Sequence, residues 1–397
     1  MQINRLRETE VVYQYPNKRR ENPKGIFSSF IRMHRLDAYG LEGCYFITSN
    51  VYDVPCWKDL HQLQFYSTNI YTIIPPLQEG STLYEIGPVL GVGTYGTVYH
   101  AKRTQPIQSS DSRNIVIKEQ ETKEPSSYTL HEAILHAIAY TTFTEIGLGF
   151  AIPKLYEITT RTTQSFCMAM EWVPGSTLLD YFHIYLSRIT NAATCAILPE
   201  SLEQSRQKND ALVLDVLMQI AIYLTILQKK LQFYHRDLKL NNVLIRHTSA
   251  RSRSILRRLD HPLLSKPWDC RHDVVIIDFG GSCMKGTPVF EAGTFFKSSS
   301  IHQGRDLALL IYSIHAFFPL DQYVSPSFWS FLERSTTGHM GSTPVCLLHG
   351  IQTDGTPCPK GSKIPFDEGI YYFLQKDSVD LPGCDPFVFL KNANISL

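Results

Sequence analysis

Between Leu83 and Arg103 the chain reads LYEIGPVLGVGTYGTVYHAKR, an apolar run, a turn with glycines at 91, 93 and 96, and a second alternating run. Glycines at this spacing let backbone N–H groups approach a phosphate closely and take positive φ at no steric cost. The residues just after the turn decide the fold. In a dinucleotide-binding unit a helix starts at the third glycine, and a carboxylate lies about 20 residues on. Here Thr97-Val98-Tyr99-His100-Ala101 is β-branched and alternating, so the turn joins two strands. Taken by itself, the segment could still be a plain hairpin.

The pattern continues as a sheet with one helix. NIVIKEQ ends a strand run at Lys118, and Ser126 to Phe143 has apolar residues at Leu130, Ala133, Ile134, Ala137 and Ile138, a helical spacing. KLYEITT and SFCMAMEWV are two further strand runs. After Pro174-Gly175 the chain turns helical, and ALVLDVLMQIAIYLTILQKKL is its clearest helix, with Lys229 and Lys230 at the negative end. NNVLI and DVVIIDF are short strands separated by Arg246–Arg271. That segment holds seven Arg or Lys against two Asp and reads as an exposed, solvated basic insertion.

Composition narrows the class. With 397 residues and a net charge of +1, the chain can bury more than one core and has no global field to attract nucleic acid or an acidic membrane. The nine cysteines form no CxxC pair, which points to reduced thiols in an intracellular compartment, cytoplasmic or nuclear. The first twenty residues lack the apolar core of a signal peptide. The apolar segments near Ala211–Leu227 and Leu307–Leu320 read as buried helices, so no membrane span is expected.

Four motifs stand in order. Gly91-Val92-Gly93-Thr94-Tyr95-Gly96-Thr97-Val98 is followed by Ile115-Val116-Ile117-Lys118, then His235-Arg236-Asp237-Leu238-Lys239-Leu240-Asn241-Asn242, then Asp278-Phe279-Gly280. From about Leu90 to Asp306 this resembles the eukaryotic-type protein kinase superfamily. The resemblance implies a bilobal α+β fold with a β-rich N-lobe over 81–173 and a mainly helical C-lobe over 174–397, the latter carrying the insertion 246–271. Residues 1–80 are then an N-terminal extension, whose role the sequence does not decide.

The resemblance also implies ATP and magnesium as cofactors and protein substrates phosphorylated on Ser or Thr. Lys118 would hold the α- and β-phosphates, with Glu132 as its helix partner; Glu124 and Glu145 are rivals, and Thr129-x-x-Glu132 is also a capping-box pattern. Asp237 would orient the substrate hydroxyl and take its proton, and Lys239 would contact the γ-phosphate. Asn242 and Asp278 would supply the hard oxygen ligands that magnesium takes. Leu90, Gly91, Gly93, Gly96 and Val98 would cover the nucleotide. Glu171 and Val173 would bond the adenine edge through their backbone, with Met170 behind the base; Ala101 and Val116 would border it.

The chain also departs from the pattern. No A-P-E occurs between Gly280 and Asp306, and Asp306 falls where the family has a buried helix aspartate that braces the catalytic loop. Arg236 could pair with a phosphorylated Thr287 or Thr294, although so short a segment can be ordered without phosphate. Abbreviated activation segments of this kind occur in haspin-like kinases and in kinases of large DNA viruses. A pseudokinase scaffold and a small-molecule kinase are the rivals. Retention of Lys118, Asp237, Asn242 and Asp278 argues against the first, and the intact octet argues against the second.

Overall fold

The structure is a computed structural model. It describes residues 73–74, 84–103 without 94 and 95, 114–121, single positions between 132 and 141, and then, with isolated gaps, 142–186, 199–247, 257–259, 267–284, 304–349 and 379–396. The chain divides into two compact units between Val173 and Pro174.

The first unit is built on a six-stranded sheet. Its strands are β1 (Ile73–Ile74), β2 (Tyr84–Gly93), β3 (Gly96–Arg103), β4 (Asn114–Glu121), β5 (Leu155–Thr162) and β6 (Ser165–Glu171), in the order β1-β5-β6-β4-β3-β2. Every pairing is antiparallel except β1 with β5, which runs parallel. Alternation produces the buried face: Ala101, Ile115, Ile117, Tyr156, Cys167 and Ala169 form one core cluster. A helix, α1, is described at positions between 132 and 145, with Leu135, Ala139 and Phe143 fully buried. The helix runs on through Thr144 and Glu145, two residues past Phe143, where the helical spacing in the sequence ends. Residues 1–80, apart from Ile73–Ile74, lie outside the described residues.

The second unit is mainly helical. Its helices are α2 (Leu178–Tyr185), α3 (Pro199–Leu231), α4 (Arg305–Phe317), α5 (Leu320–Tyr323), α6 (Pro326–Ser335) and α7 (Pro386–Ser396). α3 begins twelve residues before the apolar run does. Its polar first turns are tied down by Asn209, which donates to the Tyr323 carbonyl at 2.9 Å, and by Asp210, which accepts from the Ser325 N–H at 2.8 Å. From Leu202 to Leu231 it is long and apolar enough to cross a membrane, but Val213, Val216, Leu217, Ile220, Leu224 and Leu227 are all buried inside the unit. α4 is buried on every side from Arg305 to Ile314.

Short strands complete this unit. β7 (Gly175–Thr177), β9 (Val243–Arg246) and β12 (Val274–Ile276) form a sheet with β9 in the middle, and β8 (Phe233–Tyr234) pairs with β13 (Cys283–Met284). Gly175 is required where β7 meets β9, since a Cβ there would overlap the Ile245 carbonyl. β14 (Thr337–Met340), β15 (Thr343–Cys346) and β16 (Val379–Asp380) make a further small sheet. The described residues of the basic insertion, 246–247, 257–259 and 267–271, correct one expectation. They contain a hairpin, β10 (Arg257–Leu259) with β11 (Trp268–Cys270), whose Leu259 and Cys270 are buried and whose Arg257 reaches Asp273 at 3.4 Å. An exposed solvated loop would show none of these contacts.

Candidate active site

In the first unit, β2 and β3 close on each other at the Gly93–Gly96 pair, and Gly96 has φ +153°, a conformation open to glycine. Leu90 and Val92 stand exposed on this hairpin. Register then fixes the rest. Val98 lies opposite Lys118 on β4, and Lys118 lies opposite Met168 on β6. The Lys118 ammonium donates to Glu132 Oε1 at 2.7 Å, with the two side chains 11% and 3% exposed. Glu132 is therefore the carboxylate that reaches the lysine. Glu145 lies exposed at the other end of α1, and Glu124 and Thr129 fall outside the described residues.

Strand β6 runs out through Met170 and Glu171, which face Val116 and Ile115 across the sheet. The Glu171 N–H donates to the Lys154 carbonyl at 2.8 Å, and its carboxylate accepts the Lys154 N–H at 3.2 Å. The Glu171 N–H is thus committed, which leaves its carbonyl as the main-chain group on the far side of the strand end. Val173 is buried, and Trp172 meets the His100 ring edge-on at 5.1 Å.

In the second unit, α3 delivers the chain through Gln232 (φ +47°) and β8 into the octet. Asp306, fully buried on α4, accepts the His235 N–H at 2.8 Å on one oxygen and the Arg236 N–H at 2.7 Å on the other. Both bonds are charge-assisted in a dry setting, so they hold the loop firmly. Arg236 takes φ +68° and Asp278 takes φ +64°. Non-glycine residues rarely adopt that region, and such strain persists only where neighbours impose it.

The neighbours are identifiable. Asn242 turns its amide N–H₂ onto the Asp237 carbonyl at 2.8 Å and the Asp237 carboxylate at 3.0 Å. Lys239 Nζ lies 3.0 Å from the same carboxylate. Ile277, the residue before Asp278, donates its N–H to the Asn242 carbonyl at 3.0 Å, and His235 Nε2 lies 3.0 Å from the Ile277 carbonyl. Phe279 is fully buried against Phe233 and His235. Gly281 packs so closely that a Cβ there would lie 3.3 Å from the Asp237 Cβ. One compact loop thus collects Asp237, Lys239 and Asn242, and the Ile277–Asn242 backbone bond together with the His235–Ile277 contact ties it to the approach to Asp278.

The donor set fits magnesium shared with a nucleotide. With its amide N–H₂ committed to Asp237, Asn242 presents its oxygen on the opposite side, and Asp278 adds a carboxylate. Among the described residues no group of three or more His, Cys, Asp or Glu could hold an ion without help. Thr287 and Thr294 fall outside the described residues. Burial raises the pKa of the Cys283 thiol, on β13 beside this loop, to about 11, and that of the Tyr234 hydroxyl on β8 to about 12. Both therefore stay protonated at neutral pH.

A family model described as protein tyrosine and serine/threonine kinase matches residues 84–280, just under half of the chain. No curated protein matches the sequence. Among solved structures, the crystal structure of the BubR1 kinase domain is similar at 12% identity with a TM-score of 0.34, over 65% of this chain and 60% of that chain.

Proposed function

We propose that residues 84–280, which match a protein tyrosine and serine/threonine kinase model, are a divergent eukaryotic-type protein kinase domain, and that the protein transfers the γ-phosphoryl group of ATP, with magnesium, to serine or threonine hydroxyls of protein substrates. The observation that carries this reading is the Asp237 cluster. Its carboxylate is held by the Asn242 amide at 3.0 Å and lies 3.0 Å from the Lys239 ammonium.

Each residue then has a task. Lys118, steadied by Glu132, binds the α- and β-phosphates. The hairpin from Leu90 to Val98 covers the nucleotide with its backbone N–H groups, and Glu171 and Val173 meet the adenine edge. Asn242 and Asp278 would hold magnesium, which would supply neutralisation of charge on the phosphate oxygens. Asp237 orients the substrate hydroxyl and accepts its proton as the new O–P bond forms and the bond to the β-phosphate bridging oxygen breaks, leaving ADP. Lys239 offsets the charge on the group in transit. A lysine two residues after the aspartate supports Ser or Thr, rather than Tyr, as the acceptor.

Nine cysteines without a CxxC pair support reduced thiols and an intracellular location, cytoplasmic or nuclear. The test is incubation with γ-labelled ATP, magnesium and a mixed protein substrate, followed by phosphoamino-acid separation. Label on phosphoserine or phosphothreonine is expected. Label confined to phosphotyrosine would overturn the acceptor assignment, and label on a small metabolite alone would overturn the protein-substrate assignment.

A further inference from the structure

One carboxylate ties the return arm of the basic insertion to α3. Asp215 is 2% exposed and sits within the apolar run ALVLDVLMQ. It accepts the Trp268 indole N–H at 2.9 Å and the backbone N–H groups of Arg271 at 3.0 Å and His272 at 2.9 Å, and it lies 2.7 Å from His272 Nδ1. One turn along α3, Gln219 donates to the His272 carbonyl at 3.0 Å. Next in the chain, Asp273 is paired with Arg246 at 3.5 Å and Arg257 at 3.4 Å. Two buried acids therefore hold the point where the chain enters β12.

That entry controls something. β12 pairs with β9 over three residues, and the Arg246 N–H to Asp273 carbonyl bond extends the ladder at this end. At the other end, Ile277 bonds to Asn242, and Asp278 is the next residue. Val274, Val275 and Ile276 are all fully buried, so neither face of β12 is polar. A period-two pattern fixes register only where one face is buried and the other wet. Here a slip would meet no hydrophobic penalty, yet a two-residue slip would carry Asp278 roughly 7 Å along the strand. Asp215 opposes it, because four N–H groups drawn from residues 268–272 fit a single carboxylate in one chain position only.

We propose that Asp215 is a positioning residue for Asn242 and Asp278: by fixing where the chain enters β12, it sets the register that brings these two ligands to the same end of the ladder. The assignment of those residues as ligands rests on the kinase reading above. The insertion is thereby an internal brace, with Trp268 and Arg257 turned inward to build it.

The test uses the full chain with Asp215→Ala and the milder Trp268→Phe, which removes one of the four donors. Two quantities are read: Mn²⁺ binding in the presence of ATP, by electron paramagnetic resonance, and amide hydrogen exchange over residues 274–278. For Asp215→Ala the dissociation constant for Mn²⁺ should rise about three- to tenfold, at or below the loss usual for partners nearer the metal. Exchange at Ile276 and Ile277 should quicken while that of α4 stays as in the wild type. Trp268→Phe should shift both readouts in the same direction by less, and it carries the test if Asp215→Ala does not fold. Unchanged Mn²⁺ affinity in the folded variants overturns the proposal, as does exchange that quickens equally throughout the unit. A wild type that binds no Mn²⁺ with ATP removes the kinase reading and the metal role together, whereas local quickening at 276–277 would still leave the register clamp in place.

Discussion

Lys118 and Glu132 form an ion pair nearly closed to water, and such a pair is costly to break from one side because the remaining charge stays buried. Lys118→Met should therefore act twice. It should lower phosphoryl transfer by roughly 10²–10³-fold, the loss usual for one electrostatic contact to a reacting group, and it should also lower the melting temperature. Glu132→Gln keeps the shape and a neutral acceptor, so it should cost less in both. Steady-state kinetics beside calorimetry on the same samples separates the two effects. Gly281 offers a second residue-scale prediction. A methyl group added there meets Asp237 at 3.3 Å, so Gly281→Ala should displace the carboxylate slightly and lower kcat roughly tenfold with little change in stability. An alanine variant with wild-type kcat would show that Asp237 tolerates the displacement.

The elements carry the site through a few long-range bonds, and the buried Asp306 on α4 is the clearest of them. Asp306→Ala would leave the N–H groups of His235 and Arg236 unbonded in a dry interior, at about 1–3 kcal/mol each. Chemical denaturation should show that loss, and activity at low denaturant should fall with it. This scale also separates what the sequence discloses from what it conceals. The strands through Lys118 and Glu171 were legible because their alternation is local, and the four motifs were legible because their residue types and order are local too. Asp306 was legible only by resemblance. α3 starts at Pro199 although PESLEQSRQKND has no apolar period, since contacts from Tyr323 and Ser325 over a hundred residues away hold its first turns. The hairpin β10–β11 was hidden for a similar reason: its run reads as basic, while its anchors, Asp215 and Asp273, lie outside it. A lone aspartate inside ALVLDVLMQ was the available signal, because a charge in an apolar helix needs a buried partner.

At the scale of the whole molecule, the first unit carries the Lys118–Glu132 pair and the second carries the Asp237 loop among its helices. Burial should also be readable chemically. Cys167, Cys270, Cys283 and Cys384 are buried, and burial raises the pKa of Cys270 to about 12 and that of Cys384 further still, whereas Cys346 is partly exposed. Among these five, maleimide at neutral pH should label Cys346 first, with the other four reacting only in denaturant; peptide mapping checks the order, and early labelling of Cys283 would contradict the packing of β13. The most direct test of the central claim compares the wild type with Asp237→Asn for γ-phosphoryl transfer to protein at saturating ATP and magnesium. The account predicts a drop in kcat of roughly 10²–10⁴-fold, the usual contribution of a positioned base, with ATP affinity retained. Equal turnover by the two proteins would contradict it.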